Sequence, residues 1–215
     1  MMTERVLILA AHLDDFELGM GGTAATLSEN YQVEIVVMCQ GDRPGHEFVG
    51  SPRRKACQQN VDMLDVKLHT YRFSDTKLDM VSQTELCDIV YRHVQDYEPT
   101  VVYTHHEHDI HKDHRILSQV SRVACRPRIN CSVHRLLEYS IPGSTEWGQS
   151  HTQFNTFQNI TQHSDIKMKM ISRYETELRP APDPVSIEMI ESRDRYHGSL
   201  CGYDKAEAFR QVYSR

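Results

Sequence analysis

No apolar run in this sequence is longer than the stretch Val6 to Ala11. That is far short of the ~20 residues a helix needs to cross a bilayer, so no membrane span is expected. No C-x-x-C pair occurs either: the cysteines stand apart at Cys39, Cys57, Cys87, Cys125, Cys131 and Cys201. The opening MMTERV mixes acid with base and runs straight into the apolar stretch, so no signal peptide is read. Together these point to reduced thiols in a cytoplasmic protein. An excess of positive charge is missing too. The formal net charge is -6, which argues against a general nucleic-acid binder. There is no repeat and no low-complexity linker. Gly19, Gly21 and Gly22 do not spell G-x-G-x-x-G, and they follow carboxylates that would repel a pyrophosphate, which excludes a nucleotide-binding loop of that kind.

What is present is an ordinary globular composition. With 215 residues, 39% hydrophobic and 25% charged, the chain can build one α/β domain spanning 1–215. The unusual residue is His. There are thirteen, and His105, His106, His108, His111 and His114 fall within one short stretch.

The chain is organised around Arg5 to Thr23, RVLILAAHLDDFELGMGGT. Val6 to Ala11 has the length and makeup of a buried strand. It ends abruptly in His12, Asp14 and Asp15, and Thr23 to Leu27 reads as helix. Ionisable groups crowded at a buried strand end are costly unless compensated, and a divalent metal is the simplest compensation. Gln32 to Met38 is a second buried strand, followed by a loop from Gly41 to Gly45. Ser51-Pro52 opens a helix running to about Leu64, with Arg53 and Arg54 in a first turn where the dipole disfavours cations. Two solvated arginines would be the plain reading of that pair. Lys67 to Phe73 and Thr100 to Tyr103 are further strands, with a helix from Thr84 to Tyr97 between them. A helix starts near Asp113, and Ser132 to Tyr139 alternates into another strand. Ile141 to Trp147 reads as a loop, Ser164 to Leu178 and Ser186 to Tyr196 as helices, and Ala206 to Tyr213 closes the chain. Strands alternating with helices imply right-handed crossovers and a mainly parallel sheet flanked by helices.

Two segments converge on one chemistry. His12-x-x-Asp15 offers an imidazole and a carboxylate; His111-x-x-His114 offers two imidazoles at a strand-to-helix junction. Both follow strand ends that can meet at the C-terminal edge of one sheet, where open α/β folds bind ligands. Two nitrogens and one carboxylate oxygen, with a fourth position left to water, make the ligand set of a catalytic zinc; iron(II) fits the same donors. Asp14 could take a proton from water. Either His111 or His114 could sit nearer the substrate as an acid or electrostatic stabiliser. The sum is a hydrolase acting on an amide or ester. His105, His106 and His108 are left as supporting or surface residues.

AHLDDFELGMGGT resembles the AHPDD-x-E-x-G-x-GG-T opening of the PIG-L/LmbE-like zinc N-deacetylases, and HDIHKDHR resembles their second signature, H-x-D-H-R. The likeness continues through Leu137-Glu138, Ser144 to Trp147, Lys167 to Arg179 and Ala206 to Phe209, and so covers essentially the whole chain. It implies a Rossmann-like α/β fold and removal of acetyl groups from N-acetylglucosamine-type sugars, nucleotide sugars or glycoconjugates. It implies that His12, Asp15 and His114 hold zinc. Asp14 would be the general base, later giving its proton to the leaving amine. His111 would stabilise the oxyanion, and Asp113 would orient His111 through its ring N–H. Arg53 or Arg54 would lie near the sugar. Homo-trimers or hexamers occur among such relatives. Leu13 replaces the usual Pro, which should loosen that turn, and Lys205 stands where many members have Tyr. The loops at 42 to 52 and 140 to 160 look individual, so substrate identity does not carry over. The alternatives are an amidase cleaving a larger amide, such as a sugar-thiol conjugate, and a non-catalytic sugar-binding relative. The retained Asp14 speaks against the last of these.

Overall fold

The computed structural model describes residues 4–41, 50–148 and 154–215. Of the loop read at Gly41 to Gly45, the part from Asp42 on lies outside the described residues.

Among the described residues five strands run parallel: β1 (Arg5–Ala10), β2 (Gln32–Cys39), β3 (Lys67–Phe73), β4 (Val101–His105) and β5 (Arg135–Tyr139). Two more, β6 (Thr156–Asn159) and β7 (Ala206–Ser214), are antiparallel, and the sheet order is β3-β2-β1-β4-β5-β7-β6. The helices are α1 (Asp15–Ser28), α2 (Gly50–Leu64), α3 (Gln83–Tyr97), α4 (Lys112–Ala124), the single turn α5 (Thr145–Gly148), α6 (Ser164–Ser172) and α7 (Ile187–Cys201). The mainly parallel α/β architecture expected from the alternation of elements is therefore present. Among the described residues no helix is long and apolar enough to cross a membrane, and all six cysteines are free.

β1 explains the layering. Its side chains alternate, so Val6, Ile8 and Ala10 enter a core with α1, α2 and α6, while Leu7, Leu9 and Ala11 enter a core with α3 and α4. A strand buried on both faces reads as a continuous apolar run, which is why Val6 to Ala11 stands out in the sequence. The order of strands reverses between β1 and β4, leaving a crevice at their C-terminal ends.

Three elements differ from the sequence reading. The helix expected from Ser164 to Leu178 stops at Ser172, because Tyr174 turns inward and donates its hydroxyl to the Leu13 carbonyl. Its N-cap is His163. β6 is an edge strand of Thr-Phe-Gln-Asn, with no apolar alternation to betray it. Ile141 to Trp147 is not all loop: α5 begins at Thr145.

Helix α1 is broken at Met20 (φ −154°, ψ 27°), and the backbone N–H groups of Gly22 and Thr23 donate to the buried Glu207 carboxylate at 3.1 and 2.7 Å. Lys167, itself buried, balances that charge, lying 2.8 Å from Glu207 and 2.7 Å from Asp194. At Gly19 the helix presses on the sheet so closely that a Cβ would sit 2.4 Å from the Tyr139 ring, so only glycine fits without movement. Tyr174 also answers the missing proline. Leu13 is buried in the core and its carbonyl is tied down, so the turn is fixed by a hydrogen bond where Pro would fix it by its ring.

Glu17 completes this anchor. It is fully buried, with Oε1 at 2.8 Å from Asn60 Nδ2 and 2.7 Å from the Tyr174 hydroxyl. Tyr174 has one proton for two oxygens, the Leu13 carbonyl and Glu17 Oε1, and burial raises the Glu17 pKa well above the usual carboxylate range, which favours a protonated Glu17. A raised folded pKa adds stability that is fully present below the unfolded value and is lost as pH rises through the folded one. Glu17→Gln should therefore be tolerated at neutral pH and should gain on wild type as pH increases. Urea midpoints at pH 6 and pH 9 check this; a larger penalty at pH 9 than at pH 6 would refute the neutral carboxyl.

Candidate metal centre

The segment after β1 supplies His12 and Asp14 from the loop and Asp15 from the first residue of α1, and the segment after β4 supplies His111 as the N-cap of α4 and His114 from within it, so the strand reversal brings the two histidine-bearing segments face to face. His12 Nδ1 lies 3.1 Å from His114 Nε2 and 3.3 Å from Asp15 Oδ2, and His114 Nε2 lies 3.4 Å from Asp15 Oδ1. Zinc ligands about 2.0–2.2 Å from the ion in a tetrahedron are about 3.3–3.6 Å from each other. His12 Nδ1, His114 Nε2 and the two oxygens of the Asp15 carboxylate thus outline a triangle of about that size, and all three residues are buried. The charges agree. Burial opposes the protonated form of His12, yet Asp15, Asp113 and Asp75 lift its pKa to about 10. His114 is raised by Asp15 and Asp109 against burial. Burial also opposes ionisation of Asp15, but His114, His105 and His12 hold it well below the usual range. Such a site demands positive charge, which a divalent cation meets without protonating its ligands. The donor set fits a metal.

The supporting contacts differ from expectation at Asp113. Its carboxylate does not orient His111. Asp113 Oδ2 accepts from His12 Nε2 at 3.2 Å and from the Thr76 N–H at 2.7 Å, while Oδ1 accepts from the Leu78 N–H. It is the backbone N–H of Asp113 that meets His111, donating to Nδ1 at 3.3 Å as the N-cap of α4. That bond leaves the proton of neutral His111 on Nε2. Burial, with His114 and His12 nearby, lowers its pKa to about 4, so the ring is neutral. The equivalent carboxylate for His114 is Asp109, which the sequence reading does not single out. Asp109 Oδ1 faces His114 Nδ1 at 3.2 Å, short of hydrogen-bond geometry, and Asp109 accepts from Thr145, Ser144 and the His111 N–H. Its position in HDIHKDHR is the one signal that points to it. Carboxylates behind ligating histidines typically contribute 10–100-fold in metal affinity. Asp113→Asn should accordingly weaken metal binding by ~10–100-fold; equal affinity in a zinc titration would remove Asp113 from this role.

His105 is neither loop nor surface. It is buried and stacks flat on His114, with ring centroids 4.0 Å apart and planes 5° apart. Its Nε2 takes the Ala11 N–H at 3.0 Å, and burial with His114 nearby drops its pKa to about 4. His106 is also buried, whereas His108 is exposed.

The two arginines part company. Arg53 is only 4% exposed, so the plain reading of a solvated side chain fails for it. Its Nη2 donates to Asp14 Oδ1 at 2.7 Å and its Nη1 to Asp75 Oδ2 at 3.0 Å. Arg54 instead reaches the Gln40 carbonyl and does not line the site. Asp14 stands outside the triangle and, with His12, Asp15, Arg53, His111 and His114, lines a cavity of about 380 Å³ that is rimmed by Ser144, Glu177 and Arg179.

Residues 7–125 match the PIG-L family, described as GlcNAc-PI de-N-acetylase. An uncharacterised deacetylase, YaiS, from Escherichia coli (strain K12) is 30% identical over 146 residues, covering 65% of this chain and 75% of its own. The conserved protein TT1542 from Thermus thermophilus superposes with a TM-score of 0.80 at 24% identity, over 100% of this chain and 96% of that one. The N,N'-diacetylchitobiose deacetylase from Pyrococcus horikoshii superposes with a TM-score of 0.77 at 22% identity, over 98% of this chain and 84% of its own.

Proposed function

The chain belongs to the PIG-L family of deacetylases, and from that premise we propose that it is a zinc-dependent hydrolase removing the acetyl group from an N-acetylated amino sugar or its conjugate. The observation that carries this reading is the triangle of His12 Nδ1, Asp15 and His114 Nε2 with Asp14 beside it and outside it. A site built only to hold a metal has no need of a second carboxylate facing the same cavity. That the Pyrococcus horikoshii neighbour is a diacetylchitobiose deacetylase supports a sugar as substrate.

In this reading His12, Asp15 and His114 hold the ion. Zinc in such a set supplies a Lewis acid for the acetamide carbonyl and brings the pKa of its water to about 7. Asp14 takes the proton from the attacking water at a carboxylate oxygen, while Arg53 keeps that carboxylate aimed at the cavity. The His111 Nε2–H donates to the carbonyl oxygen as it gains charge, with the tautomer set by the Asp113 N–H on the other nitrogen. The water oxygen adds to the acyl carbon, the C–N bond breaks, and Asp14 returns the proton to the leaving amine. Acetate and a free amino sugar result.

A larger amide is the second reading, and one observation favours it. A cavity of about 960 Å³ adjoins the site, sharing Pro142, Gly143 and Pro184 with it, and Trp147, Phe157, Tyr196 and Leu200 give it an apolar lining. The test is acetate or acyl release from a panel of N-acetylated sugars and larger N-acyl conjugates, before and after chelation. Release that stops with the chelator and returns with zinc supports the proposal; release indifferent to the chelator refutes it.

A further inference from the structure

Strand β2 carries a single charged residue, Glu34, in an otherwise apolar run. It lies in the first half of the strand, five residues before Cys39, and so about 16 Å from the end that reaches the candidate site. The deacetylase chemistry makes no use of it. Glu34 is only 9% exposed, and burying a carboxylate is costly unless it is paired. Its partners come from two other elements. His69 on the edge strand β3 places Nε2 at 2.8 Å from Glu34 Oε2. His93 on α3 sets its ring edge-to-face with His69, the centroids 4.8 Å apart. One donor atom from each of the three residues lies within 4.8 Å of the other two.

The donors are suitably prepared. Lys67 takes the other carboxylate oxygen, Oε1, at 2.9 Å, which leaves Oε2 to the histidines. Tyr71 lies 3.0 Å from His93 Nε2 and orients that ring. Both imidazoles are partly exposed, so side-chain rotation can close the triangle and water can reach a fourth position. One carboxylate oxygen with two imidazole nitrogens is a borderline donor set suited to zinc and its neighbours.

We propose that Glu34, His69 and His93 form a second site for a zinc-class divalent ion, separate from the catalytic centre, which ties the edge strand β3 to β2 and α3. An ion there adds a tie to the edge strand beyond its pairing with β2 and its side-chain contacts. It binds three elements at once, so it should raise the thermal midpoint of the folded chain.

The test is a count. Full-length chain stripped with a chelator is titrated with Zn²⁺ against a chromophoric indicator. Wild type should take two equivalents. The double variant His69→Ala/His93→Ala should take one and lose the zinc-dependent rise in thermal midpoint that this site contributes, with deacetylase activity unchanged. His114→Ala should also take one, but keep that contribution, so the two sites stand or fall separately. If the double variant does not fold, Glu34→Gln keeps the shape of the cluster and must weaken one equivalent at least tenfold without touching the other. A wild type saturating at one equivalent, or a folded double variant still saturating at two, would overturn the second site.

Discussion

Asp14→Asn should retain the metal of the catalytic centre and lose turnover by a factor of ~10²–10⁴, the usual contribution of a positioned acid-base group. The geometry separates the two properties. Asp14 is no side of the His12, Asp15, His114 triangle, and it is held instead by Arg53 at 2.7 Å. Asn keeps an oxygen for Arg53, so the buried guanidinium is not stranded, and what disappears is the ability to take and return a proton. The loss should fall on kcat with little change in KM, because the proton moves only as the transition state forms. Metal analysis beside steady-state kinetics of acetate release reads both. Full activity in Asp14→Asn would remove Asp14 as the base; loss of metal would put it among the ligands.

His114→Ala should remove the metal of that centre and the activity together. His114 Nε2 closes two sides of the triangle, at 3.1 Å to His12 and 3.4 Å to Asp15. The ring is clamped from several directions, by His105 stacked at 4.0 Å and by Asp109 at 3.2 Å. Deleting it leaves two donors, too few to hold zinc against bulk water. The surrounding carboxylates would then lack their counter-charge, so the stability that an ion at this centre lends to wild type should vanish as well. Elemental analysis and zinc-dependent thermal melts check this. An unchanged metal content at that centre would show the ligand set to be wrong, whatever happens to turnover.

Much of this site is legible in the sequence because its parts carry local contradictions. A buried strand that ends in His12, Asp14 and Asp15 violates the rule that charge avoids the interior, and five histidines after another strand repeat the signal. Strand ends in a parallel sheet converge, so the meeting of the two segments follows from topology. What stays hidden depends on side-chain direction. Asp113 is two residues from His111 in sequence but turns its carboxylate to His12, because α4 begins between them and sends the two side chains to different sides. Arg53 and Arg54 are adjacent, and their helix aims one into the site and the other at the Gln40 carbonyl. Tyr174 replaces the fixing action of a proline from 161 positions away, a contact no local pattern announces. β6 and β7 escape typing from sequence because these two antiparallel strands do not carry the apolar runs of buried parallel strands such as β1 and β2.

The activity proposed for this chain turns on whether the His12, Asp15, His114 triangle holds the working metal. An anomalous difference map from a crystal of the zinc-loaded chain tests it most directly. A peak is expected about 2.0–2.2 Å from His12 Nδ1, an Asp15 carboxylate oxygen and His114 Nε2, with His111 and Asp14 outside the coordination sphere. No peak inside that triangle, or one ligated by His111 or His105 instead, would contradict it.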